Sequence, residues 1–320
     1  MRTIPAPCLA ALALAACLPL AACTDQPATG VGSGSPTVII VGKSSTDPYW
    51  QAVQAGAAKQ AAAEKFAVEY EAPASADDVD AQDQLIARAV AANPAAIAVA
   101  PIDADKQADT LKQIVKSGTL LVVLDTKVAG LLPLTTAATD NEAAGSLAAL
   151  QLCNRTDAKG TVAVLADSTD DAVSAARVKG LQQGMQANCP NVVLLDPVYA
   201  DRDAATAEKN AKAALATDGL TGLFTADELS GVGAIKAVEA AKAKTVLIGF
   251  DSGKDQIAAI RSGVMTGAIS QNPVGIGQQA VSTVAKALAG KSVPREVDTG
   301  FYWYDKTNID KPAIQAVLYD

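Results

Sequence analysis

The segment TVIIVGKSSTDPYW, residues 37–50, decides the fold class of this chain. It opens with a continuous apolar run, passes into a short polar loop and leads to the alanine-rich stretch 50–65, which favours a helix. Continuous apolar strands that alternate with helices are typical of parallel sheets buried on both faces. The segment therefore predicts one strand–loop–helix unit of an α/β protein. It carries two adjacent aromatic side chains, Tyr49 and Trp50, in a chain with only 4% aromatic residues.

The same kind of unit recurs along the chain. Continuous apolar runs predict strands at 37–42, 96–100, 120–125, 161–167, 192–196, 222–227 and 245–251. Helix-favouring stretches lie at 50–65, 77–92, 104–117, 142–153, 172–188, 203–217, 229–242, 254–262 and 273–289. The segment VAVLADSTDDAVSAARVKGLQQGM (162–185) repeats the strand, polar loop and glycine-containing helix of the first unit. We therefore predict two doubly wound, Rossmann-like lobes, each with a parallel sheet.

Composition and charge exclude several classes of protein. The chain has 320 residues, half of them hydrophobic, which suffices for two lobes with buried cores. Its formal net charge of −8, without a cluster of basic residues, argues against a nucleic-acid partner. It contains no histidine, which excludes a Ser-His-Asp or Cys-His hydrolase and the common histidine-containing zinc sites. An enzyme built on this chain would have to use carboxylates, lysine or a cofactor.

The N-terminus predicts export. The apolar run CLAALALAACLPLAA (8–22) has the length of a signal-peptide core and is short for a membrane span. It leads into LAAC, ending at Cys23, which resembles the lipid-attachment motif of bacterial lipoproteins. We therefore predict a signal peptide at 1–22, a lipid on Cys23 and a polar linker at 23–36. The protein would be anchored in the periplasm or on the outer face of the cytoplasmic membrane. Lipidation at Cys17, in an earlier LAAC stretch, and a secretory signal without lipid are the alternatives.

Export places the remaining cysteines in an oxidising compartment. Cys153 and Cys189 are an even pair, and each lies just after a predicted helix and just before a predicted strand. In a parallel α/β layer these two points lie at the same end of neighbouring units. The pattern predicts a Cys153–Cys189 disulfide, with two buried free thiols as the alternative.

Acidic residues follow almost every predicted strand. In open parallel sheets a ligand binds beyond the carboxyl ends of the strands, so these residues are candidates for a binding site. For Asp105, Asp170 and Asp203 the simpler expectation is that they cap the next helix. Asp125 and Asp251 instead end an apolar strand directly. There a carboxylate can accept charge-assisted hydrogen bonds from the hydroxyl groups of a ligand.

A family resemblance is carried by eight segments of the chain. In chain order they are TDPYWQAVQAGA, IAVAPIDADK, VVLDTK, TTAATDNEAAG, SAARVKGL, LFTADELSGVGAI, LIGFDSG and GAISQNPVGIG. Over residues 37–304 the chain resembles the periplasmic sugar-binding proteins of ABC transporters, of the ribose- and galactose-binding type. The resemblance implies the type I periplasmic binding protein fold, in which three crossovers join two lobes that close around one sugar. It divides this chain into an N-terminal lobe, 37–139 plus 272–298, and a C-terminal lobe, 140–271 plus 299–320.

The resemblance also implies the residues of the site. Ligand contacts are expected from Asp47, Tyr49, Trp50, Asp125, Thr126, Arg177, Tyr199, Asp227, Asp251 and Gln271. The aromatics would stack on the sugar and Arg177 would bind its oxygens, with core packing as the alternative for Trp50. Hinge positions are expected at Asp140, Asn141, Asn272 and Pro273, and FYWY (301–304) is expected to form a strand that crosses the hinge. Ribose itself is not the expected ligand, because small residues replace three of the polar residues of ribose-type members, at Ala100, Thr126 and Ala226.

The function implied by the resemblance is the capture of a monosaccharide or polyol and its delivery to an ABC transporter permease. The protein would act as a monomer, without cofactor, metal or nucleic acid, and would contact the membrane only through its lipid anchor. It would not be an enzyme, since no catalytic acid motif accompanies the carboxylates. The alternative is a sensor protein that presents its ligand to a chemoreceptor or a sensor kinase.

Overall fold

The computed structural model describes residues 35–320. The predicted signal peptide, the two candidate lipidation sites Cys17 and Cys23, and the linker up to residue 34 lie outside the described residues. Within 35–320, no helix combines the length and the apolar character needed to cross a membrane.

Between Ser35 and Asp320 the chain forms thirteen strands and ten helices. The strands are β1 (Thr37–Val41), β2 (Ala67–Glu71), β3 (Ala96–Val99), β4 (Leu120–Leu124), β5 (Thr135–Ala138), β6 (Thr161–Ala166), β7 (Val193–Leu194), β8 (Val198–Tyr199), β9 (Leu220–Thr225), β10 (Val246–Phe250), β11 (Gly267–Gln271), β12 (Glu296–Asp298) and β13 (Phe301–Tyr304). The helices are α1 (Pro48–Glu64), α2 (Val79–Ala91), α3 (Ala108–Lys116), α4 (Asn141–Arg155), α5 (Ala172–Asn188), α6 (Ala204–Leu215), α7 (Glu228–Ala241), α8 (Lys254–Ser262), α9 (Pro273–Leu288) and α10 (Pro312–Gln315). The predicted alternation of strands and helices is confirmed.

Six strands form the sheet of the first lobe, in the order β12-β5-β4-β3-β1-β2, and every pair in it is parallel. Alternate residues of β1 point to opposite faces of the sheet. Val38 and Ile40 belong to the core under α1 and α9, whereas Ile39 and Val41 belong to the core under α2 and α3. Helices cover both faces, which is why these strands are continuous apolar runs. The strand order reverses between β1 and β3, so a ligand crevice is expected beyond their carboxyl ends.

The second lobe has a sheet in the order β13-β11-β10-β9-β6-β7, and β8 also pairs with β6. Its pairs are parallel except for β11–β13, which is antiparallel. The glycines of the repeated unit occupy matching places in the two lobes. A side chain at Gly56 would collide with the backbone of Val274 in α9, and one at Gly180 with the backbone of Glu142 in α4. Each glycine therefore lets two helices pack closely, so the repeat in sequence is a repeat in structure.

The chain passes between the two sheets three times, after β5, β11 and β12. The passages lie side by side. The Asp298 carboxylate accepts hydrogen bonds from the N–H groups of Asp140 (3.2 Å) and Gly300 (2.9 Å). The Asn272 amide donates to the carbonyl of Thr299 at 2.9 Å. Asp140 and Asn272 are also the N-caps of α4 and α9, so two passages each end at the start of a helix.

Some predicted details differ from the structure. The sequence patterns do not predict β2, β5, β8, β11 and β12, because these strands are short or mix polar with apolar residues. The strand predicted at 192–196 is only the two-residue β7. Asp203 caps α6 as predicted. The N-caps of α3 and α5 are Gln107 and Asp171, rather than the predicted Asp105 and Asp170.

Cys153, near the end of α4, and Cys189, directly after α5, are joined by a disulfide with their Cα atoms 5.8 Å apart. Both residues belong to the hydrophobic core of the second lobe. The bridge therefore connects the two helices that Gly180 allows to pack closely.

Candidate functional site

A cavity of about 630 Å³ lies between the carboxyl ends of the two sheets. Residues that follow β1, β3, β4, β6, β9 and β10 line it, together with Gln271 at the end of β11. Small-molecule sites usually enclose about 300–1,000 Å³, so the volume suits a small ligand. Eight of the ten predicted ligand residues lie in its wall, namely Asp47, Tyr49, Trp50, Asp125, Arg177, Asp227, Asp251 and Gln271.

Tyr49 and Trp50 are placed by the start of α1. Asp47 caps this helix by accepting a hydrogen bond from the N–H of Tyr49 at 2.8 Å, and Pro48 is its first residue. The Tyr49 ring meets Trp50 edge to face, with centroids 5.0 Å apart, and meets Tyr319 in the same way at 5.5 Å. Tyr49 and Trp50 line the cavity, yet they are only 7% and 4% exposed and belong to the core of the first lobe. Trp50 is therefore a core residue that also forms part of the cavity wall.

A buried ion pair joins the ends of β1 and β4. The Nζ of Lys43 donates to Oδ2 of Asp125 at 2.7 Å and to Oγ1 of Thr126 at 2.8 Å. The hydroxyl of Tyr49 donates to Oδ1 of Asp125 at 3.1 Å. Burial alone would raise the pKa of Asp125, but the Lys43 charge and these hydrogen bonds outweigh it and hold the pKa below its usual value. Asp125 is therefore an ionised acceptor fixed in the cavity wall.

Arg177, on α5, is held firmly in the second lobe. Its Nε donates to Oδ1 of Asn141 at 2.9 Å. Its Nη1 donates to the carbonyl of Ala226 at 2.8 Å and to Oδ2 of Asp251 at 3.3 Å. The guanidinium also lies 3.6 Å from the centroid of the Phe250 ring, a cation–π contact. These contacts fix the orientation of a cation that lines the cavity while being only 2% exposed.

Gln271 connects the two halves of the site at the second passage between the lobes. Its Nε2 donates to Oδ1 of Asp251 at 2.7 Å, and its Oε1 accepts from the Thr139 hydroxyl at 2.8 Å. The hydroxyl oxygen of Tyr49 lies 3.4 Å from the same Oε1. Polar contacts therefore run without a break from Asp125 in the first lobe, through Tyr49 and Gln271, to Asp251 in the second.

Other acidic side chains of the wall have raised pKa values. Burial and the nearby charges of Asp167 and Asp251 raise the pKa of Asp227 to about 7. Burial and the charges of Asp251 and Asp47 raise the pKa of Glu228 to about 8. Burial likewise raises the pKa of Asp47, and that of Asp167 to about 6. Burial in the cavity wall therefore disfavours the full negative charge that these carboxyl groups would carry in water.

Two predicted ligand residues lie outside this cavity. Thr126 is 4% exposed and borders a separate cavity of about 440 Å³, which the predicted hinge residues Asp140 and Asn141 also line. Tyr199 lies in β8, where it packs against the hydrophobic core of the second lobe. The structure therefore does not bring either residue to the cavity between the two sheets.

Several residues of the wall are not among the predicted ligand residues. Lys43, Asp167 and Glu228 leave a weak signal in the sequence, because each lies within two residues of a predicted strand end. Arg202 and Tyr319 leave none. Arg202 lies in the wall because it forms ion pairs with Asp167 and Asp170 in the loop after β6. Tyr319 lies there because the C-terminal segment returns to the cavity, where the N–H of Tyr319 donates to the Ser252 hydroxyl at 3.0 Å.

Comparisons with known proteins agree with this architecture. Residues 38–292 match the family model described as the periplasmic binding protein domain. The ribose import binding protein of Haemophilus influenzae is 30% identical over 161 residues, which make up 50% of this chain and 54% of that protein. The match thus spans about half the length of this relative.

Two solved structures of ABC transporter solute-binding proteins from Agrobacterium vitis are similar over their whole length. One, bound with α-D-tagatopyranose, has a TM-score of 0.83 and 26% identity, and the match covers 89% of this chain and 100% of the other. The second, with bound D-fucose, has a TM-score of 0.80 and 29% identity, with 88% and 100% covered. The fold predicted from the sequence, two parallel-sheet lobes of the type I periplasmic binding kind, is confirmed.

Proposed function

This chain belongs to the periplasmic binding protein domain family, and we propose that it captures a sugar or sugar-like polyol and delivers it to an ABC transporter permease. Membership of the family places it outside the cytoplasm. The structural neighbours with bound tagatopyranose and fucose are solute-binding proteins, not enzymes. We further propose that the protein is a monomeric lipoprotein anchored through Cys23, and that it binds its ligand without turning it over.

The observation that carries the proposal is the composition of the cavity wall. Tyr49 and Trp50 offer apolar ring surface, which suits the C–H face of a sugar. Asp125, Arg177 and Asp251 offer charged groups for the hydroxyls, each already oriented by a partner in the protein. Because these side chains are fixed before binding, little conformational freedom is lost when the ligand enters. Buried polar groups also penalise a ligand that lacks the matching hydroxyl.

We infer that the ligand acts by holding the two lobes together. Tyr49 and Asp125 belong to the first lobe, whereas Arg177 and Asp251 belong to the second, so one bound molecule can contact both. A ligand with more contacts in the closed arrangement shifts the population towards it. The hinge would be formed by the passages at Asp140, Asn141, Asn272 and Pro273 and near residues 298–300. The lobes would then comprise 37–139 plus 272–298 and 140–271 plus 299–320.

A thermal-shift screen over pentoses, hexoses, deoxysugars and polyols, followed by calorimetry on the best ligand, tests the proposal. We expect saturable binding with one ligand per chain and recovery of the ligand unchanged. Stabilisation by amino acids or nucleosides alone, or conversion of the ligand into a product, would contradict the proposed function.

Arg177 provides the matched test within the protein. Arg177→Lys keeps a positive charge but loses the planar fork and the stacking on Phe250, so we expect at least a tenfold loss of affinity. Arg177→Ala should abolish measurable binding. The control is Arg88→Ala on α2, whose side chain is 65% exposed and lies outside the cavity, and it should leave affinity unchanged. Unaltered affinity in folded Arg177→Lys and Arg177→Ala would refute the role of Arg177.

A further inference from the structure

Tyr319 belongs to a segment whose backbone is held by the second lobe. The segment contributes Ile314 to a hydrophobic core of that lobe. The hydroxyl of Ser270 donates to the carbonyl of Val317 at 2.8 Å, and the hydroxyl of Ser252 accepts from the N–H of Tyr319 at 3.0 Å. Each of these serines is next in the chain to a residue of the cavity wall. The segment is therefore fixed to the second lobe directly beside the cavity.

The side chain of Tyr319, in contrast, packs against the first lobe. Its ring belongs to the core that contains Tyr49 and Trp50, and it meets the Tyr49 ring edge to face with centroids 5.5 Å apart. Tyr319 also lines the cavity, although it is only 7% exposed. It is therefore a wall residue whose backbone is held by one lobe and whose ring is held by the other.

The hydroxyl of Tyr319 is left unused by the protein. The hydrogen bonds of Tyr319 to residues between Ser35 and Asp320 are made by its backbone N–H and carbonyl, both with Ser252. Its hydroxyl oxygen is also not among the side-chain atoms of residues 35–320 that are fully enclosed without a partner. The oxygen therefore reaches the small accessible surface of Tyr319, which is part of the cavity wall.

Two nearby tyrosines use their hydroxyl groups within the protein. The hydroxyl of Tyr49 donates to Oδ1 of Asp125 at 3.1 Å, and that of Tyr304 donates to the carbonyl of Asp251 at 2.7 Å. Buried tyrosine hydroxyls usually have such a partner. The unpaired hydroxyl of Tyr319, oriented by the packing of its ring, is therefore available to a molecule in the cavity.

The chemistry of this hydroxyl suits a ligand that carries hydroxyl groups. Burial and the charges of Asp251 and Glu228 raise the pKa of Tyr319 well above its usual value, so the group keeps its proton at neutral pH. A protonated phenol both donates and accepts hydrogen bonds, as a sugar hydroxyl does. The carboxylate of Asp251 only accepts and the guanidinium of Arg177 only donates. Tyr319 therefore offers the wall a group that pairs with a ligand hydroxyl in either direction.

We propose that Tyr319 is a specificity-determining residue, whose hydroxyl forms a hydrogen bond with one hydroxyl group of the bound sugar or polyol. The proposal rests on the proposed function and adds to its site a residue that no predicted strand end provides. A ligand without the matching hydroxyl leaves the Tyr319 hydroxyl without a partner in a water-poor cavity, and it is disfavoured for that reason.

The test is Tyr319→Phe, which removes one oxygen atom and keeps the ring. The probe is whichever of D-glucose, D-galactose, D-xylose and D-sorbitol binds the parent most tightly, or the best ligand of the wider screen if none of the four binds. Loss of one neutral hydrogen bond should raise the Kd measured by calorimetry about fivefold. The melting temperature of the ligand-free variant should stay within about 1 °C of the parent, because the hydroxyl has no partner in the protein.

Two other tyrosines provide matched controls. Tyr302→Phe alters a side chain of β13 that is 38% exposed and lies outside the cavity wall, so it should leave affinity unchanged. Tyr304→Phe removes the donor to the buried carbonyl of Asp251, and it should lower the melting temperature by about 2 °C or more. A fall of that size in Tyr319→Phe would show a structural hydroxyl and refute the proposal.

The monodeoxy analogues of the probe locate the contact. The analogue that lacks the hydroxyl bound by Tyr319 should bind the parent and Tyr319→Phe with equal affinity, while the other analogues lose about fivefold in the variant. An equal loss for every analogue of the series would refute the contact with a single ligand hydroxyl.

The two proposals fail in different ways. If the parent binds the probe and Tyr319→Phe binds it within about twofold of the parent, Tyr319 is only a packing residue, and the proposed function stands. If no sugar or polyol of the wider screen binds the parent, the proposed function fails, and the role of Tyr319 fails with it.

Discussion

Replacement of Lys43 by alanine removes the cation from a buried ion pair of the cavity wall. The Nζ of Lys43 lies 2.7 Å from Asp125, and the two side chains are only 16% and 7% exposed. Asp125 would keep the hydrogen bond from Tyr49 but lose its nearest positive charge. Removing one partner of a buried pair costs about 3–5 kcal/mol, because the remaining charge stays buried without compensation. Since Lys43 retains some contact with water, we expect the lower end of that range, about 3 kcal/mol.

The chain offers a matched control in Lys127→Ala. Lys127 also lies 2.7 Å from its partner, Glu296, but those side chains are 63% and 65% exposed. Exposed pairs contribute about 0–1 kcal/mol, so this variant should lose less than about 1 kcal/mol of the free energy of unfolding. The difference between the two variants then isolates the effect of burial, because the distance and the chemical change are the same.

The pH dependence supplies a second check on Lys43→Ala. The folded protein holds the pKa of Asp125 below its usual value, so this group stabilises the fold at neutral pH and the stabilisation is lost as pH falls. In the variant, burial is less opposed and the pKa of Asp125 rises. The deficit should therefore be largest near pH 7 and shrink as the pH falls through the raised pKa of Asp125 in the variant, whereas the folded parent keeps Asp125 ionised further into acid. Urea unfolding followed by circular dichroism at pH 4 to 8 measures the loss in free energy of unfolding. Equal losses in Lys43→Ala and Lys127→Ala, or a loss in Lys43→Ala that does not change with pH, would refute the reasoning.

Three further predictions concern other parts of the molecule. The pKa of Glu228 is raised to about 8, so the ligand-free protein should lose stability as the pH rises from about 4.5 to 8. After allowance for solvent screening, Glu228→Gln should be about 2 kcal/mol more stable than the parent at pH 9 and equally stable at pH 5. No gain in stability at pH 9 would contradict this prediction. Non-reducing peptide mass spectrometry should recover Cys153 linked to Cys189, and Cys153→Ala should lower the free energy of unfolding by about 2–4 kcal/mol, whereas two free thiols would exclude the bridge. Cys23→Ser should abolish labelling by fatty acid in cells, whereas Cys17→Ser should not. The reverse result would assign the lipid to Cys17 instead of Cys23.

Much of the fold could be predicted because its strands are buried on both faces. Burial on both sides forces continuous apolar runs such as VIIV in β1 and LLVVL in β4, and these are easy to detect. The strand β2, with the sequence AVEYE, lies at the edge of its sheet, where exposed and partly buried residues alternate. The strand β5, with the sequence TTAA, is fully buried but too short and too polar to form an apolar run. These elements are defined by their neighbours in the sheet rather than by their own composition.

The positions of the candidate site residues were predictable because these residues follow buried strands. Which of the acidic residues cap a helix was not always predictable. Asp125 and Asp251 each end a strand with a positive φ angle, 62° and 73°, which turns the chain at the edge of the crevice. Asp105 instead lies six residues after the end of β3, in a turn where the Asp103 carboxylate accepts from the N–H groups of Asp105 and Lys106. The helix then starts later, at Ala108, and Asp105 has no helix end to cap.

Which carboxyl groups of the cavity wall have a cationic partner could not be predicted from the sequence. Asp251 comes directly after β10 and Asp227 comes two residues after the end of β9, so both closely follow a buried strand of the second lobe. Asp251 receives hydrogen bonds from Arg177, 74 residues away in the chain, and from Gln271, whereas Oδ2 of Asp227 receives none from residues 35–320. The difference arises from distances between elements that are far apart in sequence. Resemblance of local segments therefore identifies a family of binding proteins, while the partners of each carboxyl group in the cavity wall depend on contacts between segments that are distant in sequence.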